Sequence, residues 1–184
     1  MRLPSGMKKE VLEFWFETLE PSMWWSADPA LDALIKERFA DLLMSAAAGE
    51  LFHWRGDAHG RLAEIIVLDQ FSRNIHRDTP GAFAQDSMAL VLSQEAVSGG
   101  CLAALEPIER AFLLLPYMHS ESRPIHVEAE RLYREYAPED NYQFELKHKE
   151  IVDRFGRYPH RNRVLGRAST AEEIEFLKTP GSSF

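Results

Sequence analysis

A single cysteine, Cys101, occurs in the 184-residue chain, which excludes an internal disulfide and a cysteine-based zinc site. Long hydrophobic runs are missing as well. The most apolar window is Glu64–Phe71, and Glu64 and Asp69 interrupt it, far short of the roughly 18 residues that span a bilayer. The opening stretch MRLPSGMKKEVLEFW has no apolar core and no small-residue cleavage site, so no export signal is expected and the cytoplasm is the expected compartment. Positive charge is in deficit. The 21 Lys and Arg face 29 Asp and Glu, and the net charge of −8 argues against bulk attraction to nucleic acid or acidic membranes. Period-two alternation bounded by turn residues is not found, which removes the signal for a β-sheet. Dinucleotide, P-loop, serine-elbow and HExxH patterns are absent too, so no cofactor and no metal is expected.

What is present is an ordinary globular composition, 45% apolar and 27% charged, with helix signals throughout. Glu10–Leu19 reads as a short aromatic helix ended by Pro21. Asp28-Pro29 is an N-cap followed by proline at the first helical position, and Gly49 suits the C-terminal stop. Thr79-Pro80 starts another helix in the same way, and Gly99-Gly100 ends it. Pro107 opens the run IERAFLLL, which Pro116 should end or kink. Arg123–Tyr136 and Tyr142–Phe155 follow, the second closed by Gly156. Arg157–Arg167 reads as irregular. Thr170-Ala-Glu-Glu173 is a capping box for a last short helix to Leu177, and a loose tail is expected from Thr179 to Phe184. About eight helices with short connections, and no linker, predict one all-α domain over 1–184, with neighbouring helices antiparallel.

The most constrained stretch is Arg61–Asp78, RLAEIIVLDQFSRNIHRD. Leu62, Ile65 and Ile66 lie on one helical stripe, with Val67, Phe71 and Ile75 roughly opposite, so this helix should be central and buried on several sides. Ile66, Phe71 and Ile75 are expected among the most buried residues. Asp69, Arg73 and His76 project from the first stripe, and ionisable groups there need partners, Asp69 with Arg73 first. Such a stripe either fixes packing or lines a polar cavity.

Three further stretches could share that cavity. His148 falls on the apolar face of its helix with Phe144, Ile151 and Phe155; a hydrogen-bonded core histidine is the plainer alternative. Arg154–Asn162, RFGRYPHRN, belongs to a basic run in an acidic chain, with seven Lys or Arg from Lys147 to Arg167 against Glu150 and Asp153. Guanidinium forks on a backbone stiffened by Gly156 and Pro159 suit carboxylate or phosphate, although the same forks also tie a chain to its own Asp69, Asp86 or Glu121. His119-Ser-Glu121 follows the Pro116 helix, and its spacing is poor for chelation.

At LDQFSRN (68–74), HSE (119–121), RFGRYPHRN (154–162) and LGRASTAEEIEFL (165–177), together with the FWF and WW aromatics near the start, the sequence resembles the bacterial uncharacterised family known as domain of unknown function 924. Ser72 stands where that family's LDQFPRN has proline. The resemblance implies a TPR-like fold of helix pairs stacked into a right-handed superhelix, and it brings no accepted activity. Three functional readings stay open. The first is a binding module whose polar groove, lined by Asp69, Arg73, Asn74, His119, Glu121, His148, Arg157, His160 and Arg161, takes a small anionic ligand or the acidic end of a peptide. In it Arg157 and Arg161 hold the anion, His148 and His160 donate hydrogen bonds, and Asp69 orients Arg73. The second is a cofactor-independent enzyme with His148 or Glu121 as general acid or base. The third is a purely structural polar cluster.

Overall fold

A computed structural model describes residues 6–184, and every described regular element is helical. Helix α1 (Met7–Glu13) runs into a π-helical turn, Phe14–Thr18, and α2 is Pro29–Ala47. The central helix is α3 (Ala58–Ile66), a π segment (Val67–Phe71) and α4 (Ser72–Ile75) in unbroken succession. Then come α5 (Asp86–Ser98), α6 (Pro107–Met118), α7 (Arg123–Tyr136), α8 (Glu139–Phe155) and α9 (Ala171–Phe176). With α3 and α4 taken as one rod, this makes eight α-helices among the described residues.

Local chemistry accounts for most boundaries. The Asp28 carboxylate accepts the Ala30 N–H at 2.8 Å ahead of Pro29. Asp57 caps α3 the same way, accepting from Gly60 N at 2.7 Å, so the central helix begins three residues before the apolar pattern does. Glu106/Glu109 and Thr170/Glu173 form reciprocal capping boxes. Gly156 closes α8 with φ +71°, a left-handed conformation that glycine adopts without a Cβ penalty.

Four expectations need correction. Pro116 does not end α6; the helix continues to Met118 and is buried from Ala111 onward. Thr79-Pro80 opens a single 3₁₀ turn, Pro80–Phe83, and the helix proper starts at Asp86. Helix α8 begins at Glu139, directly after Pro138, which is well suited to precede a first turn carrying Glu139 and Asp140. The tail is docked rather than loose: Ser182 is buried with its hydroxyl donating to the Leu177 carbonyl, and the Phe184 ring lies on His148.

The central rod is touched by α1, α2, α5 and α6. Its Leu62, Ile65, Ile66 and Phe71 are fully enclosed, whereas Ile75, at the rod's end, is only half-buried. Phe71 stacks on Phe39 at 4.7 Å and meets Phe14 and Trp15 edge-on, so an aromatic cluster joins the rod to α1 and α2. Each such ring stabilises by roughly 1.5–3 kcal/mol through burial. Neighbours along the chain pack antiparallel. Tyr133 of α7 donates to Ala111 O on α6, while Arg123 and His126 of α7 reach Asp153 and Glu145 of α8. A second small core, Ile151, Val152 and Tyr158 with Phe155 and Phe176 against it, sits under the segment that returns after α8.

Candidate functional site

The rod presents its ionisable groups through the π segment. Asp69, 1% exposed, accepts from Arg73 Nη1 at 3.2 Å, from His119 Nδ1 at 2.7 Å and from its neighbour Gln70. Burial opposes its ionisation, but the Arg73 charge and the His119 and Gln70 hydrogen bonds outweigh burial and hold the carboxyl well below the usual range. Arg73 turns its fork to Asp86, at 2.8 and 3.0 Å. Asp86 is the first residue of α5.

His119, at the end of α6, is pushed below the ordinary imidazole value, first by burial and then by the Arg73 charge. It is therefore neutral at neutral pH. Its Nδ1–H goes to Asp69, which leaves the Nε2 lone pair on a ring 15% exposed with no protein partner. A carboxylate thus fixes the tautomer of a neutral histidine.

The returning segment completes the cluster. Arg161 is 6% exposed, donates to His119 O at 3.0 Å, and reaches Asp86 only at 3.4 Å. Its guanidinium packs at 4.6 Å against both Phe83 and Tyr158, and its Nε is buried with no hydrogen-bond partner. Beside it, His160 Nδ1 is also buried without a partner, and burial followed by the Arg161 charge lowers that imidazole to about 4. His148 donates Nδ1–H to Phe144 O at 2.7 Å, and burial lowers it to about 3.

Asp69, Arg73, His119 and Arg161 therefore share one connected network, with His160 and His148 at its margin. The remaining candidates serve elsewhere. Asn74 bonds Asp32 on α2, together with Arg77. Arg157 does not reach the cluster: Glu173 takes its fork at 2.6 and 2.8 Å, which removes it as an anion holder. Glu121 accepts from Arg167 at 2.6 and 2.9 Å and from Tyr158 N, so it is a clamp rather than an acid or base. His148 commits Nδ1 to Phe144 O and stacks against the Phe184 ring. His76 is exposed, because the rod ends at Ile75. Phe144 is exposed too, and Glu145 takes the inward place, bonding His126 at 2.7 Å.

Sequence reasoning left Asp86, Phe83, Tyr158 and Arg167 off the site. Asp86 in a helix's first turn reads as ordinary helix chemistry. Phe83 and Arg167 pair with Arg161 and Glu121 over dozens of positions, which no local pattern records, and Tyr158 lies only three positions before the Arg161 it carries. A shallow surface depression on α7 and α8, lined by Glu130, Leu146, Lys149, Glu150, Asp153 and Arg154, shares no residue with the cluster. No group of three or more His, Cys, Asp or Glu among the described residues is placed to hold a metal ion. No described helix is long and apolar enough to cross a membrane.

These features define an all-α protein with an ion-paired polar interior closed by an arginine-rich return segment. Residues 11–181 match the family described as bacterial protein of unknown function (DUF924), and the chain belongs to that family. It is similar to the protein of unknown function ATU0120 from Agrobacterium tumefaciens, with 33% identity and a TM-score of 0.89 over 95% of this chain and 98% of that one. No protein with a curated description matches it.

Proposed function

We propose that the protein, working as one unit, binds a small anionic compound or the acidic end of a peptide at the Arg73–Arg161–His119 cluster. One observation carries this reading: Arg161 is enclosed, yet its Nε has no partner and its bond to Asp86 is long. A buried guanidinium with an idle donor is costly, and an incoming carboxylate or phosphate removes that cost. Asp86, partly exposed at the edge, holds the place such a group would take. The superhelical stacking implied by the TPR-like resemblance favours a peptide, but fold alone does not choose.

The test is a thermal-shift screen of small carboxylates and phosphates against wild type and Arg161→Gln. A ligand at tenfold its Kd adds about 1.4 kcal/mol, or about 3 °C or more in Tm for a chain of this size. Wild type should show that shift and Arg161→Gln should not. If no anion moves wild type, the cluster is a packing device. A second reading, an enzyme at the same place, is favoured by the free Nε2 of His119 behind Asp69, the arrangement of a general base. In that case His119→Gln keeps the ligand-induced shift and loses turnover.

A further inference from the structure

We propose that the ligand carries a planar ring beside its anionic group, and that Phe184 occupies the ring's place in the structure described here. The proposal rests on the anion reading above and names the chemistry next to it.

The Phe184 ring lies on the His148 imidazole with centroids 3.8 Å apart and planes at 27°. Tyr158 and His160 stand edge-on to it, at 6.0 Å and 85° and at 5.3 Å and 89°. One stacked floor and two perpendicular walls make a slot for a flat ring, since aromatic pairs prefer these two arrangements. The floor is rigid because His148 is tied to its own helix through Phe144 O. It is uncharged because burial keeps the imidazole neutral.

The slot and the anion site share a wall. Tyr158 borders the Phe184 ring and also carries the Arg161 guanidinium on its ring. His160 has the same double position: its ring edges the slot, and its buried Nδ1 has no partner. A phenyl group can satisfy neither His160 Nδ1 nor Arg161 Nε. A ligand whose ring sits in the slot and whose carboxylate or phosphate points past Tyr158 offers what both lack.

Phe184 is also a shallow occupant, 56% exposed. The nearest hydrogen-bonded anchor before it is Ser182, whose hydroxyl donates to the Leu177 carbonyl at 3.2 Å. A weakly seated internal group lowers apparent affinity by the fraction of time it fills the site.

The test is calorimetric titration of wild type and Phe184→Ala with benzoate, phenyl phosphate, acetate and inorganic phosphate. Phe184→Ala removes a half-exposed ring and leaves every anion-site residue in place. The expected result is a gain of about tenfold in affinity for the two ring-bearing anions, with acetate and phosphate unchanged. Adding Arg161→Gln to Phe184→Ala should then abolish binding of the ring-bearing anions. Equal affinity for benzoate and acetate in Phe184→Ala would overturn the slot and leave the anion site standing. So would benzoate affinity that Phe184→Ala does not alter. Failure of all four probes with both proteins would overturn the anion reading as well.

Discussion

Asp69 gathers Arg73, His119 and Gln70 on one enclosed carboxylate, and each loses a different thing if it goes. Arg73 keeps its two bonds to Asp86, so it is not left wholly unpaired. His119 loses the acceptor that fixes its tautomer. Asp69→Ala should therefore destabilise by about 2–4 kcal/mol, at or below the range for breaking a buried pair outright. Urea melts that overlay wild type would mean that Asp69 is solvated. The need for this pair was legible in the sequence, because a charge on an all-apolar helix has few alternatives. The sequence also puts His119 in the same groove and names Asp86 as a carboxylate for an arginine. Which atoms pair was not legible, because both approach from other helices and helical periodicity says nothing about partners across the fold.

At the scale of elements, the capping residues were the most readable feature. Asp28, Thr170 and Gly156 act through neighbours within four positions, so the sequence contains both halves of each interaction. Pro116 shows the converse, since burial of the surrounding turns overrides a local breaking signal. Gly60 lies between these cases. It sits in the first turn of α3, where an added Cβ would come within 1.9 Å of the Trp54 carbonyl oxygen. That neighbour is backbone and cannot rotate away. Gly60→Ala should cost about 3 kcal/mol or more by forcing α3 and the preceding turn apart. Gly56→Ala meets nothing within 4 Å and serves as the control in the same denaturant melts.

For the whole molecule, the polar interior makes stability depend on pH well above the carboxylate range. His148 and His160 are lowered from 6.5 to about 3 and about 4, both chiefly by burial. Below pH 6.5 the unfolded chain takes up protons that the folded chain refuses, so these groups' contribution is complete above 6.5. It falls away as pH drops toward 4. Each histidine contributes up to about 1.4 kcal/mol per pH unit. Glu145, raised by burial, works in the opposite sense, so a comparison of variants isolates the effect. His148→Gln should flatten the wild-type slope between pH 6.5 and 4.5 by about 1 kcal/mol per unit, read from urea melts at several pH values. The all-α architecture was legible because helical period and stop signals recur along the entire chain. That Arg154–Asn162 shares the rod's polar cavity was legible too, but which arginine enters it was not, since Arg161 meets an Asp86 75 positions away and Arg157 had an equally good carboxylate in Glu173. The wide turn at Val67–Phe71 has a last consequence. A π turn holds one residue more than an α turn, so the rod is one residue longer than its hydrogen bonding requires. Deleting a single position there would turn the wide turn into an ordinary α turn and leave Arg73 facing Asp86, whereas a deletion within Ala58–Ile66 would rotate every residue beyond it by about 100°. The interior network is thus guarded by residue count on either side of the wide turn, and the turn itself is the one place along the rod where a one-codon deletion can be absorbed.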